Sequence, residues 1–344
     1  MNWRPLASLL ALGLLIYIMG VASNTAIALM GGALLLIAVL GELTVHGVEG
    51  LAARLGLSGY SSSVLVNSVA VLPELFSAIA LGYRGIEEGN PWLTELAILS
   101  VLVSAAFNLV VLGAIALLAG GVGVDRDVLD RELPLLRVAV ASTALLAGYA
   151  VIEASLAGGG VQAPYSLLAA QLVFWLYYVT GVVREGVGAS PRHAGVKLWP
   201  LMLLGGLLGM IWAAESMADA VKELIHELHI EHLGEAALAV GIASSSPEAV
   251  LALLAARRGR AREATGGLLA ATSTSLLLVY PAAHMMLSSH LSLDSFLVYM
   301  LAMLAALLWV AKRSLAHENM IDSTEALYIL ALSAAALATL AIVK

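Results

Sequence analysis

The sequence contains no cysteine, so disulfide bonds, thiolate metal sites and cysteine nucleophiles are all excluded. Charged residues are also scarce: they make up 12% of the 344 positions, against about 25% in soluble globular domains. Apolar residues account for 61% of the chain, and the mean hydropathy is +0.95. Because a water-soluble fold cannot hide so much apolar surface, we expect an integral membrane protein whose solvent is lipid.

Motifs for nucleotide binding and for catalysis are also missing. The chain has no Gly-rich phosphate loop, which argues against ATP-driven pumping. It has no evident nucleophile–base pair or metal-ligand pair of an intramembrane enzyme. We therefore expect a protein that is not an enzyme and needs no cofactor, with the lipid bilayer and small inorganic cations as partners and no nucleotide or nucleic acid. A basic cluster that suits contact with anionic lipid comprises Arg257, Arg258, Arg260 and Arg262.

Long apolar stretches predict eleven membrane-spanning helices. About 17–25 apolar residues suffice to cross a hydrocarbon core of about 30 Å. The first stretch is either a retained helix or a signal sequence, since Arg4 precedes a short apolar run that ends in small residues. We favour a retained helix. The predicted spans are 5–22, 25–52, 61–82, 92–120, 134–156, 164–183, 197–221, 234–256, 264–287, 292–312 and 325–343.

The positions of the basic residues predict the orientation of the chain. Cytoplasmic segments of membrane proteins carry an excess of Lys and Arg. With a cytoplasmic N-terminus and alternating spans, three of the 17 basic residues fall outside, namely Arg84, Lys222 and Lys344, and the other fourteen fall inside. We therefore predict a multi-pass protein of the cell membrane with its N-terminus in the cytoplasm. The inside residues are Arg4, Arg54, Arg126, Arg131, Arg137, Arg184, Arg192, Lys197, Arg257, Arg258, Arg260, Arg262, Lys312 and Arg313.

Two Pro-Glu pairs indicate an internal repeat. Pro73-Glu74 and Pro247-Glu248 each lie inside an apolar helix, and 174 residues separate them. Twelve residues after each proline comes the glycine of an Arg-Gly pair, Gly85 or Gly259, and the preceding helices also correspond. A period of this length that contains five spans indicates a duplication. Because five is odd, the second copy enters the membrane from the opposite face, as in many secondary transporters.

This repeat defines the predicted fold, an all-α integral membrane protein with a ten-helix core of two inverted five-helix repeats and an extra N-terminal helix. The predicted segments are an N-terminal helix or signal-like segment at 1–24, a first repeat at 25–186 and a second repeat at 187–344. In transporters built this way, the substrate site lies near the membrane midplane at the repeat interface.

The Pro-Glu pairs are candidate cation ligands. A proline inside a helix breaks or kinks it and frees backbone carbonyls, which persist in lipid only where protein, water or an ion satisfies them. A carboxylate beside the break costs about 2.5–3.5 kcal/mol on insertion scales. A cation shared by Glu74 and Glu248 offsets both costs, and hard oxygen ligands suit Ca²⁺. The alternative is that each proline is a structural kink and each glutamate is protonated or paired with a neighbouring helix.

The helix after each Pro-Glu helix offers further oxygen ligands. Ser104 and Asn108 lie four residues apart and therefore share one helical face. An amide oxygen such as that of Asn108 is a good cation ligand. In the second copy the best register sets Thr272 opposite Ser104 and Leu276 opposite Asn108, with Ser275 next to that position. Hydrogen bonding between helices is an equally good explanation of these hydroxyl residues.

These segments resemble those of the cation/calcium exchanger superfamily, of the sodium/calcium exchanger membrane-domain type. That family carries two α-repeats, each with a Gly-Thr-Ser-x-Pro-Glu-like segment and then a Gly-Ser-Asn-like segment. The resemblance covers nearly the whole chain after about residue 25 and implies a ten-helix exchanger core. It also implies that Glu74, Glu248 and Asn108 bind Ca²⁺, while nearby hydroxyls and carbonyls bind Na⁺. The matching segments are Val69–Glu74 with Val103–Asn108, and Ala243–Glu248 with Ala271 onward.

The chain departs from the family pattern at several positions, as a divergent member would. Ala70 and Val71 replace family hydroxyls in the first copy, whereas Ser244 and Ser245 keep them in the second and so join the candidate ligands. The acidic or amide residue expected near Leu276 is absent. Fewer oxygen ligands leave the coupling ion open between Na⁺ and H⁺.

The expected function is secondary active cation antiport, in which Ca²⁺ or another divalent cation moves against Na⁺ or H⁺ by alternating access. The alternative is a membrane protein of the exchanger fold that binds ions but has lost exchange, and acts as a sensor or a scaffold. The candidate metal ligands are Glu74, Glu248, Asn108, Ser104, Ser244, Ser245, Thr272 and Ser275.

Overall fold

The computed structural model of the chain is almost wholly helical. It describes residues 3–123, 126–157, 162–188, 197–228, 232–287 and 295–342. Two short strands, β1 (Val122–Gly123) and β2 (Met320–Ile321), pair antiparallel, and a five-residue π turn occupies Ser275–Val279. The α-helices are α1 (Trp3–Ser23), α2 (Ala26–Leu55), α3 (Gly59–Ala70), α4 (Leu72–Glu87), α5 (Pro91–Leu118), α6 (Arg126–Ala157), α7 (Tyr165–Gly186), α8 (Trp199–Leu228), α9 (Leu233–Arg257), α10 (Ala261–Thr274), α11 (Tyr280–Leu287), α12 (Ser295–Glu318) and α13 (Ser323–Ile342).

Eleven spans can be counted in the described ranges. Ten of them are long and apolar enough to cross a membrane, and α9 is the eleventh when its two halves, which meet at 51°, are taken as one span. Two of the ten spans consist of more than one helical segment. One is made of α3 and α4, and the other of α10, the π turn and α11. The eleven spans match the predicted stretches one for one. The prediction of an all-α, multi-pass integral membrane protein is therefore confirmed.

Proline explains the breaks in both Pro-Glu helices. α4 begins directly after Val71, which has φ −86° and ψ −5°, and Pro73 lies in the first turn of α4. Proline is tolerated there, because the first N–H groups of a helix have no intrahelical partner. Pro247 interrupts α9 at the 51° bend. Glu74 and Glu248 therefore each lie at the start of a new helical segment.

Residues 1–97 and 179–233 form a first compact unit. Within it, α2 packs closely along α8, because glycines on both helices let the backbones approach. A Cβ on Gly47 of α2 would lie 2.6 Å from Leu203 N of α8. Gly206 of α8 is equally confined, since a Cβ there would meet the backbone of α2 at 2.8 Å. Larger residues at these positions would force the two helices apart.

The N-terminal helix α1 packs against α2 and α8 within the first unit. A Cβ on Gly32 of α2 would lie 2.6 Å from Tyr17 N, so this contact depends on glycine. Tyr17 OH donates to Ser216 Oγ of α8 at 3.1 Å, and its ring meets that of Trp212 edge-on at a centroid distance of 5.3 Å. α1 is therefore part of the packed unit, although its retention in the mature chain stays a prediction.

Residues 98–178 and 234–344 form a second compact unit. Here the β1–β2 pair brings the turns after α5 and α12 to the same end of the unit, and six spans lie between them. In the first unit, Gly188 N donates to Leu55 O at 3.3 Å and joins the ends of α7 and α2, which four spans separate. An even number of spans returns the chain to the same side of the membrane, so both contacts agree with a chain that crosses it back and forth. The cytoplasmic location of the N-terminus stays a prediction.

Each compact unit takes helices from both predicted repeats. The first unit combines α1–α4 with α8, and the second combines α6 and most of α5 with α9–α13. The two repeats are therefore interleaved in the packing, although they follow one another in sequence. The segment boundaries predicted from the repeat stay a prediction.

Candidate cation-binding site

Asn108 and Glu248 meet at the interface between α5 and α9 in the second unit. Asn108 Nδ2 donates to Glu248 Oε2 at 3.4 Å, although 140 residues separate the two in sequence. Two turns before Glu248 a glycine lets the helices approach: a Cβ on Gly241 would lie 2.7 Å from Ser100 O of α5. Asn108 is 1% exposed and Glu248 is half-buried. An amide and an acidic side chain thus share a position inside the membrane-spanning part of the chain.

The amide oxygen of Asn108 has no hydrogen-bond donor among the described residues. An ionised carboxylate offers only acceptors, so Asn108 turns its NH₂ group towards Glu248 and its Oδ1 away. A buried, unpaired oxygen of this kind costs about 1–3 kcal/mol. Ca²⁺ accepts amide oxygens as ligands. Oδ1 therefore remains available as a cation ligand.

Ser104 and Ser245 are hydrogen-bonded to each other one turn away, across the same interface. Their Oγ atoms are in direct contact, and Ser245 Oγ also donates to Gly241 O at 2.8 Å. Each hydroxyl carries one proton and two lone pairs, so most lone pairs of the two serines stay available. Both side chains are buried. The structure brings four predicted ligands to one interface, namely Ser104, Asn108, Ser245 and Glu248.

Glu74 lies in the first unit, in the first turn of α4. The start of this helix is fixed by Pro73, whose ring packs on α2: a Cβ on Gly41 would lie 3.1 Å from Pro73 Cγ. A helix N-terminus carries about half a positive charge, which favours a carboxylate. Ser77 Oγ donates back to Pro73 O at 2.8 Å. Glu74 is half-buried, and its sharing of a cation with Glu248 stays a prediction.

Two of the remaining predicted ligands donate within their own helices. Thr272 Oγ1 donates to Leu268 O at 2.8 Å, and Ser244 Oγ donates to Gly241 O at 3.0 Å. Ser275 is buried at the start of the π turn. A hydroxyl that donates to a carbonyl still has lone pairs for a cation. The role of these three residues in ion binding stays a prediction.

The π turn is a feature that the sequence analysis did not find. Across it, Tyr280 N donates to Ser275 O, one residue further back than in an α-helix. Pro281 explains the turn, because it has no N–H and its ring would collide with the carbonyl four residues before it. Leu276 O then lacks both helical donors, since Tyr280 N is used elsewhere and Pro281 has none.

A buried glutamine satisfies the carbonyl of Leu276. Gln171 Nε2 of α7 donates to Leu276 O at 3.4 Å and to Ser142 Oγ of α6 at 3.0 Å. Gln171 is 2% exposed, and its Oε1 has no donor among the described residues. The repeat register sets Leu276 opposite Asn108. The polar groups there are therefore the backbone carbonyl of Leu276 and the amide of Gln171. A proline and a lone glutamine inside apolar stretches were the only sequence signals.

The described ranges contain no group of three or more His, Cys, Asp or Glu side chains that could hold a metal ion. A site of the kind that zinc prefers is thus not found there. A hard cation needs fewer charged ligands, because amide, hydroxyl and carbonyl oxygens complete its shell. The α5–α9 interface offers that kind of donor set.

Comparison with known sequences finds relatives of this chain. The sodium/calcium exchanger protein family matches residues 25–183 and 198–341. The inner membrane protein YrbG of Escherichia coli (strain K12) is 24% identical over 268 residues, which are 74% of this chain and 77% of that protein. The two ranges that match the family fall within the two predicted repeats.

Comparison with solved structures finds the same fold. The H⁺/Ca²⁺ exchanger CAX superposes with a TM-score of 0.75 at 15% identity, over 98% of this chain and 92% of that one. The sodium-calcium exchanger NCX_Mj, soaked with 100 mM Na⁺ and 10 mM Sr²⁺, superposes with a TM-score of 0.61 at 20% identity, over 96% and 99%. These likenesses confirm the predicted fold with two inverted five-helix repeats.

Proposed function

Because the chain belongs to the sodium/calcium exchanger family, we propose that it is a secondary active antiporter of Ca²⁺, or of another divalent cation, against Na⁺ or H⁺. Proteins of this family are transporters, so the chain is a transporter and not an enzyme. In alternating access, the site opens to one side of the membrane at a time, and the driving ion and Ca²⁺ occupy it in turn.

The observation that carries this proposal is the buried Oδ1 of Asn108 beside the carboxylate of Glu248. An ionised carboxylate inside a membrane costs about 2.5–3.5 kcal/mol, and an unpaired amide oxygen costs about 1–3 kcal/mol. A bound cation offsets both costs. The unpaired amide oxygen and the carboxylate lie side by side, which supports a cation site at the α5–α9 interface.

The charged ligands in this proposal are Glu74 and Glu248, because two carboxylates neutralise one divalent cation. Asn108 and Ser104 add an amide oxygen and a hydroxyl oxygen. Ca²⁺ takes six to eight oxygens at about 2.3–2.6 Å, and backbone carbonyls near the helix breaks complete this number. Further hydroxyl oxygens come from Ser244, Ser245, Thr272 and Ser275.

The two candidate driving ions would use these groups differently. Na⁺ binds to neutral oxygens, which are fewer here than in the family pattern because Ala70 and Val71 replace hydroxyl residues. H⁺ binds to the carboxylates themselves, so two protons replace one Ca²⁺ with no further ligand. Uptake measured with separate Na⁺ and H⁺ gradients distinguishes these two couplings.

Uptake of ⁴⁵Ca²⁺ into proteoliposomes tests the proposed function. Loss of a residue that only hydrogen-bonds to a metal ligand costs roughly 10–100-fold. Glu248→Gln is expected to lower uptake by more than that, because it removes a charged ligand. Glu235→Gln is the matched control, since Glu235 is an exposed glutamate in the first turn of the same helix. Equal uptake by the two variants would refute the assignment of Glu248.

A second candidate function is ion binding without exchange, as in a sensor or a scaffold. The incomplete ligand set favours it, since Ala70, Val71 and Leu276 stand where the family pattern has polar groups. Equilibrium dialysis with ⁴⁵Ca²⁺ separates the two functions. Saturable binding by a protein that moves no Ca²⁺ under Na⁺, H⁺ or K⁺ gradients would favour the second.

A further inference from the structure

An apolar cavity of about 490 Å³ lies in the second unit, between the C-terminal ends of α5 and α9 and the start of α10. Ile115 and Leu118 of α5 line one side, and Val250 and Leu254 of α9 line another. Arg257 is the only charged residue among those described in its lining. The cavity therefore combines a hydrocarbon-like wall with a single cationic group.

This cavity does not suit a cation pathway. Its described lining offers no carboxylate, and the guanidinium of Arg257 repels cations. Large apolar side chains stand at its open side, where Leu118 is 84% exposed and Val250 is 53% exposed. Around a membrane-spanning protein, surface of this kind contacts the acyl chains of lipids.

Positive charge is concentrated beside the cavity. Arg257 lines it, and the turn 258–260 joins two membrane spans, so this turn lies at the membrane surface, at the level of lipid headgroups. Arg260 is paired with Glu263 at 3.3 Å. In contrast, no carboxylate in the described ranges forms an ion pair with Arg257 or Arg258, and both are exposed. Two guanidinium groups thus face the headgroup region without an internal counter-ion.

We propose that this cavity binds an anionic phospholipid, with an acyl chain against α5 and α9 and the phosphate at Arg257 and Arg258. Guanidinium groups bind phosphate oxygens through paired, charge-assisted hydrogen bonds. A zwitterionic headgroup brings a positive amine towards the same arginines, and an anionic headgroup does not. The lipid joins the two helices that carry Asn108 and Glu248. The inference is independent of the proposed transport function.

Lipid binding to the full chain in detergent tests the proposal. The purified, delipidated protein is incubated with phosphatidylglycerol or phosphatidylcholine of identical acyl chains and examined by native mass spectrometry. Phosphatidylglycerol is expected to be retained more strongly, by roughly fivefold for each arginine engaged, and to raise the melting temperature where phosphatidylcholine does not. Arg257→Gln combined with Arg258→Gln is expected to remove this preference.

Two further variants make the test specific to the cavity. Arg260→Gln combined with Arg262→Gln removes the same charge from the two arginines of the basic cluster that are not proposed to hold the phosphate, and is expected to keep most of the preference. Val250→Phe places a larger side chain at the open side of the cavity while both arginines remain, and is expected to weaken retention of both lipids. An equal loss of the preference for phosphatidylglycerol in the two double-arginine variants would mean that the basic cluster attracts anionic lipid diffusely, without a site at the cavity. Equal retention of the two lipids by the wild type would mean an apolar groove without a headgroup site. Either result overturns the proposal.

Discussion

Asn108 is a residue whose two ends have different roles. Its NH₂ group holds the carboxylate of Glu248, while its Oδ1 meets no donor in the part of the chain that the structure describes. Leucine has a similar size but lacks both groups. Replacing Asn108 with leucine therefore removes a stabilising hydrogen bond and a destabilising unpaired oxygen together, so stability and ion binding should respond differently.

Asn108→Leu is expected to lower ⁴⁵Ca²⁺ uptake on the order of tenfold or more, because a ligand and the donor to Glu248 are both lost. In cation-free buffer its melting temperature should change little, since the two structural effects oppose each other. Ca²⁺ should raise the melting temperature of the wild type but not of this variant. Asn108→Asp, which keeps an oxygen there, is the control. A Ca²⁺-dependent shift that survives in Asn108→Leu would rule out the proposed ligand.

Among the elements, proline decides where the spans are interrupted. Pro73 and Pro247 place a new helical segment at each acidic residue, and Pro281 follows the π turn. Each interruption removes helical hydrogen bonds that another group must replace. For Leu276 O this group is Gln171, from a different helix.

Gln171→Leu is expected to cost about 1–3 kcal/mol of unfolding free energy, because it leaves Leu276 O buried and unpaired. In a Pro281→Ala background the cost should fall below about 1 kcal/mol. The restored N–H allows the turn to adopt α geometry, in which Tyr280 N bonds Leu276 O. Chemical unfolding of the four proteins in detergent gives the coupling energy. Additive effects would show that Gln171 does not act through this carbonyl.

For the whole molecule, alternating traversal and the distribution of basic residues together predict one orientation. The β1–β2 pair sets the ends of α5 and α12 on one side of the membrane. Because an even number of spans separates the end of α9 from each of them, the basic cluster that follows α9 lies on the same side. This side is the predicted cytoplasmic side. Because the chain has no cysteine, single cysteine substitutions report accessibility without background.

Ala119→Cys and Arg260→Cys are expected to react with a membrane-impermeant maleimide in inverted vesicles but not in intact cells. Gln162→Cys, in the loop after α6, should show the opposite pattern, because one span separates it from the turn after α5. All three positions are exposed. The cysteine-free parent is the control. A fully reversed pattern would contradict the orientation, and a mixed pattern would contradict the span count.

Much of this arrangement was predictable because the relevant signals are local. Apolar length predicted the spans, and the Pro-Glu pairs predicted both helix breaks. The spacing of Ser104 and Asn108 predicted a shared helical face. The hydrogen-bond partners of the buried polar side chains were not predictable in the same way. Gln171 is a single polar residue in an apolar stretch and Ser142 belongs to a Ser-Thr pair, and nothing in their neighbourhood in sequence indicates which carbonyl or hydroxyl they meet.

Local sequence features were enough to predict the apolar spans in two related halves, because hydropathy and proline act on the segment that contains them, and eleven candidate spans can be counted in the described ranges. Which polar groups face one another was set by the packing of the helices. Asn108 meets Glu248 across 140 residues because Gly241 lets α5 and α9 approach. Leu276 O accepts a hydrogen bond from Gln171 Nε2, which comes from α7. Such contacts depend on how helices pack, and packing is a property of pairs of surfaces that no single stretch of sequence contains.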